Sequence, residues 1–102
     1  MLEKDYEVVT AMSGKEALIL FYRGLVPDLI LLDLMMPDMD GWDTYERVKA
    51  ISNLHDVPTA FFTASDDIKD KEHAKKIGAV DFIKKPTKRS ELLERIEKII
   101  KN

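Results

Sequence analysis

The 102-residue chain has no cysteine, which excludes a disulfide framework and a thiolate metal centre. It also lacks an excess of one charge. Sixteen Lys and Arg stand against nineteen Asp and Glu, a net of −3, so there is neither a basic footprint for nucleic acid nor an acidic tail. No apolar run approaches the length of a membrane span, and the charged start at Glu3 and Lys4 leaves no room for a signal-peptide core. Histidine is confined to His55 and His73, distant from each other and from any acid-rich cluster. Both read as surface residues, and a histidine-based active site is not expected. Repeats, low-complexity tracts and linkers are absent. What remains reads as one cytoplasmic domain over residues 1–102 with one modest core.

Hydrophobic patterning divides the chain into alternating strands and helices. Tyr6–Thr10 is a short β-branched run and reads as a strand. Ser13-Gly14-Lys15-Glu16 fits the S-x-x-E capping box. Ala17, Leu18, Phe21, Tyr22 and Leu25 follow at helical spacing, up to Pro27. Leu29–Leu32 is apolar without alternation, as in a strand covered on both faces. Asp40 can cap a helix with the stripe Trp42, Tyr45, Val48 and Ile51, and Thr59–Thr63 is another buried strand.

Ser65-Asp66-Asp67 opens a helix that closes on Lys75, Lys76 and Gly78, a charge order that suits the helix dipole. Only Ile68 and Ile77 are large apolar residues there, so this helix should be the loosest. Val80–Ile83 is a last strand. A final helix from Thr87 or Lys88 carries Leu92, Leu93, Ile96, Ile99 and Ile100. Strict β-α alternation argues for a parallel sheet between helical layers. Right-handed crossovers then align all strand C-termini on one edge, where such sheets bind ligands.

Three polar residues fall on that edge, each read as ending a strand directly after an apolar run: Asp33, Thr63 and Lys85. A carboxylate, a hydroxyl and an ammonium suit a phosphoryl group, one to carry it and two to hold its oxygens. Taken singly, each has a blander reading. Asp33 or Thr63 could cap a turn, and Lys85 could be a solvated lysine. A calcium loop at Asp38–Gly41 is excluded because Met36 stands where the first ligand should be and no glutamate closes the loop. The methionines around Pro37 read as loop packing. A phosphatase with an aspartyl nucleophile would want an acid at Met35.

Together, Asp33, the loop MMPDMDG (Met35 to Gly41), Thr63-Ala64 and Lys85-Pro86 resemble the response-regulator receiver domains of two-component signalling. The resemblance covers nearly the whole chain and implies a flavodoxin-like three-layer α/β/α fold. It implies that Asp33 accepts a phosphoryl group from a sensor histidine kinase or phosphotransfer protein. Thr63 and Lys85 would hold the phosphoryl oxygens, and the Lys85-Pro86 peptide would be cis. Phe82 occupies the place of the switch aromatic, although plain core packing is its simpler reading. The helix from Asp66, the strand at Phe82 and the helix from Lys88 would face a downstream effector. Mg²⁺ is implied as cofactor, on Asp33 and the Met35 carbonyl.

The family opens on a strand ending in an acid pair, then a helix. Neither is present here, and Met1–Lys4 resembles the last turn of that helix. The expected metal site is therefore weak, and a receiver-like interaction module that is not phosphorylated is the alternative. In the 2-1-3-4-5 strand order the absent strand is central. Its loss should leave Tyr6–Thr10 and Leu29–Leu32 with unpaired backbone. The first strand could slide into the gap, two chains could pair or exchange elements as a homo-oligomer, or the sequence is a fragment whose N-terminal part is absent; an altered or oligomeric assembly is the expected outcome.

Overall fold

A computed structural model describes residues 6–11, 13–35, 38 and 40–101. The readings placed on Met1–Lys4 and on the packing of Met36 and Met39 around Pro37 lie outside them. Strand β1 (Val8–Ala11) leads into helix α1 (Gly14–Tyr22), β2 (Leu29–Leu32), α2 (Gly41–Lys49) and a 3₁₀ turn at Ser52–Leu54. Then come β3 (Thr59–Thr63), α3 (Ile68–Ile77), β4 (Phe82–Lys84) and α4 (Arg89–Lys101).

The sheet is parallel in the order β1-β2-β3-β4. The expected gap beside β2 is therefore absent: Val8 pairs with Leu29 and Ala11 with Leu32. Of the arrangements considered, this is the one in which the first strand lies directly beside the second. Backbone pairing explains it, because two adjacent strands satisfy each other's amides and carbonyls.

The order also sets the layers. Every right-handed crossover advances the chain the same way across the sheet, so α1, α2 and α3 fall on one face. There Ala17, Leu18, Phe21, Tyr45, Val48 and Ala74 pack on Ile30, Leu32 and Phe61. The chain then folds back after β4, and α4 covers the opposite face through Ile96, against Leu29, Leu31 and Ala60. Neighbouring residues of β2 serve opposite cores, which accounts for its unbroken apolar run.

Helix ends follow local chemistry. Asp40 accepts from the amides of Trp42 and Asp43, and Asp67 accepts from that of Lys69. Ser13 accepts from the amide of Glu16, one of the two bonds of a capping box. Helix α1 stops before the expected Pro27. Gly24 takes a left-handed φ of 103°, and the Leu25 amide returns to the Leu20 carbonyl, so Leu25 lies beyond the helix. The final helix begins slightly later than expected, at Arg89, and β1 is shifted to Val8–Ala11. No helix among the described residues is long and apolar enough to cross a membrane.

Candidate functional site

Asp33 follows β2 directly, where the buried run ends and the chain turns into the loop before α2. Its Oδ1 accepts from the Met35 amide at 3.0 Å. Its Oδ2 accepts from the Lys85 ammonium, also at 3.0 Å. Lys85 reaches it from beyond β4, 52 residues later. The Lys85 amide donates to the Thr63 carbonyl at 2.8 Å, which draws the ends of β3 and β4 together. The Lys85-Pro86 peptide is cis. The Lys85 ammonium also lies 5.0 Å from the Phe62 ring centroid, so one aromatic face helps to hold it over the rim.

Thr63 is fully buried, and its hydroxyl accepts from the Ser65 amide at 3.3 Å. Burial pushes the Asp33 carboxyl up. The Met35 amide, the Lys85 ammonium and the Thr63 hydroxyl outweigh it, so the group is held below its ordinary value. The carboxylate side chain is about one-fifth exposed and that of Lys85 about one-third, so both are reachable from solvent. The three strand-end residues singled out in the sequence thus meet at one rim of the sheet. Phe82 packs partly buried against the α1–α3 core, 6.5 Å from Phe61 between ring centroids.

Two residues of the same loop gain a place that the sequence did not assign. Gly41 starts α2 against the main chain of Asp33. A Cβ there would lie 2.5 Å from the Asp33 carbonyl oxygen and 2.7 Å from the Leu34 Cα. Only glycine permits that approach, and the D-G pair at a helix start was its signal. Asp38 accepts from Ser13 Oγ and the amides of Gly14 and Lys15, all at the start of α1. Nothing local in the sequence marks that pairing. His55 and His73, read as unrelated surface residues, line one cleft between α2 and α3. His73 meets Trp42 edge-on at 4.5 Å.

The response regulator receiver domain model matches residues 1–97. The chain belongs to the response regulator receiver family. The probable transcriptional regulator ycf27 of Porphyra purpurea is 40% identical over 96 residues, 94% of this chain but 38% of that protein. Response regulator PleD of Caulobacter vibrioides is 43% identical over 81 residues, 79% of this chain and 18% of that protein. The receiver thus spans well under half the length of these curated relatives. Among solved structures, the non-phosphorylated HemR receiver domain of Leptospira biflexa is 36% identical with a TM-score of 0.77, covering 88% of this chain and 70% of that one. The BeF₃-activated RstA receiver domain of Klebsiella pneumoniae is 28% identical with a TM-score of 0.77, covering 92% and 77%.

Receiver domains are signalling domains that work with histidine kinases and downstream effectors, and the family typically uses Mg²⁺ for phosphorylation. The donors described here do not by themselves make such a site. No group of three or more metal-ligating side chains gathers among the described residues. Both Asp33 oxygens are already engaged, by an amide and an ammonium. Asp38 is committed to the start of α1 and Asp40 to the start of α2.

Proposed function

We propose that this receiver domain, taken as one domain over residues 1–102, accepts a phosphoryl group on Asp33 from a phosphohistidine donor. The reading is carried by the direct Lys85–Asp33 contact of 3.0 Å, with buried Thr63 beside it. A carboxylate oxygen attacks phosphorus and forms a P–O bond. The P–N bond of the donor breaks, and its electron pair returns to the imidazole, which takes a proton from solvent. The carboxyl is an anion at neutral pH even at its ordinary value, and the Met35 amide, Lys85 and Thr63 stabilise that anion further. In the transition state Lys85 leaves the carboxylate for a phosphoryl oxygen, and Thr63 donates to another.

The new acyl phosphate draws Thr63 away from the Ser65 amide. Phe82 follows into the space, and the surface formed by α3, β4 and α4 changes for a downstream effector. The sparse attachment of α3 favours this, since Ala74 is its one buried residue. If Mg²⁺ joins, Asp33 and the Met35 carbonyl are its proposed ligands. The described donors do not by themselves complete its shell.

Acetyl phosphate with Mg²⁺, read by intact mass, tests the proposal. A phosphoryl adduct that is absent in Asp33→Asn is the expected result. No adduct on the parent chain, with partner binding intact, would favour an interaction module that is not phosphorylated.

A further inference from the structure

Asp38 stands outside the Asp33–Thr63–Lys85 set, yet its carboxylate gathers three hydrogen bonds from residues 23 to 25 positions earlier. Oδ2 accepts from Ser13 Oγ and the Lys15 amide, both at 2.9 Å, and Oδ1 accepts from the Gly14 amide at 3.2 Å. The Lys15 amide is the largest cause of a lowered Asp38 carboxyl pKa. Burial opposes it, and Ser13 and Gly14 add to it. Ser13 takes the Glu16 amide, and Asp38 takes the two amides before it, so the same bonds that help cap α1 also hold the loop to it. That loop is also closed by the Gly41 amide on the Leu34 carbonyl, and it presents the Met35 amide to Asp33 Oδ1.

We propose that Asp38 is a positioning residue for phosphoryl acceptance. By clasping the β2–α2 loop to the start of α1, it keeps the Met35 amide on Asp33 and the carboxylate aimed at the incoming phosphorus. Charge-assisted bonds to helix-terminal amides are strong enough to fix a loop. A reacting group displaced by about 1 Å loses up to about a hundredfold in rate. The inference rests on the phosphoacceptor reading of Asp33.

The test compares the parent chain, Asp38→Ala, Asp38→Asn and Ser13→Ala, each confirmed folded by circular dichroism. The first readout is the rate of adduct formation with acetyl phosphate per folded molecule. Asp38→Ala should slow it about tenfold, the lower end of what lost supporting contacts cost. Asp38→Asn keeps an acceptor oxygen and should recover part of the rate. Combining Ser13→Ala with Asp38→Ala should add little, because both cut the same clasp.

The second readout is the hydrogen-exchange protection of the Met35 amide, which donates to Asp33 Oδ1. Faster exchange at Met35 in Asp38→Ala marks positioning. An unchanged rate with unchanged Met35 exchange would overturn the proposal. A parent chain that takes no phosphoryl group defeats the phosphoacceptor reading instead, and the exchange of the Met35 amide then decides alone whether Asp38 holds the loop on Asp33. If Asp38→Ala does not fold, Asp38→Asn carries both measurements.

Discussion

Helices α2 and α3 lie on the same face of the sheet and differ by one residue in length, yet they are held to it very differently. Each has an aspartate cap, and each has bases in its last turn. Helix α2 buries Thr44, Tyr45 and Val48, while α3 buries Ala74 alone and leaves Ile68 68% exposed. Caps and charge order make a helix locally stable, but an apolar stripe is what fastens it to a core. The difference matches position. The first residue of α2 packs closely on the main chain of Asp33 and its amide donates to the Leu34 carbonyl, so the start of the helix is tied to the strand end that carries the carboxylate. Helix α3 begins beyond Thr63 and Ser65, and it meets the rim through the Ser65 amide on the Thr63 hydroxyl.

Gly41→Ala should break the contrast most severely. The new methyl group meets backbone, not a flexible side chain, so either α2 or the Asp33 strand end must give way. A loss of about 3 kcal/mol is expected from such overpacking, measured as a lower denaturant midpoint. The next test sets the two helices directly against each other. Val48→Ala, at a fully buried site in α2, should cost about 2 kcal/mol. Ile68→Ala in α3 should stay within about 0.5 kcal/mol of the parent. Equal losses would mean that α3 is packed as firmly as α2.

The finest signal lies in pH. The Asp33 carboxyl is lowered in the folded chain, so its contribution to stability is complete above the ordinary carboxylate value. It is lost as pH falls through the lowered folded value. Acid unfolding of Asp33→Asn should therefore be less steep across that window than unfolding of the parent, with no such difference near neutral pH.

Much of this was legible in the chain. The β3 run Thr59–Thr63 and the caps at Ser13 and Asp40 depend on residues within a few positions of one another, where spacing and side-chain chemistry suffice; the helix read from Asp66 starts two residues later, at Ile68, with Asp67 as its cap. The meeting of Asp33, Thr63 and Lys85 was legible for a topological reason: parallel strands present all their C-termini on one rim. The early end of α1 was harder to read. Leu25 continues the apolar spacing, but the left-handed Gly24 has already turned the chain.

Strict alternation of apolar strand and amphipathic helix, with an acid, a hydroxyl and a base set at the strand ends, determined a parallel sheet flanked by helices and the residues that stand on its rim. The partner of β1 was a tertiary decision, since one apolar strand edge suits several neighbours and only the assembled backbone selects among them. So was the grip of Asp38 on Ser13, Gly14 and Lys15. A carboxylate can satisfy any exposed amides, and the fold alone brings these amides within 3.2 Å of it.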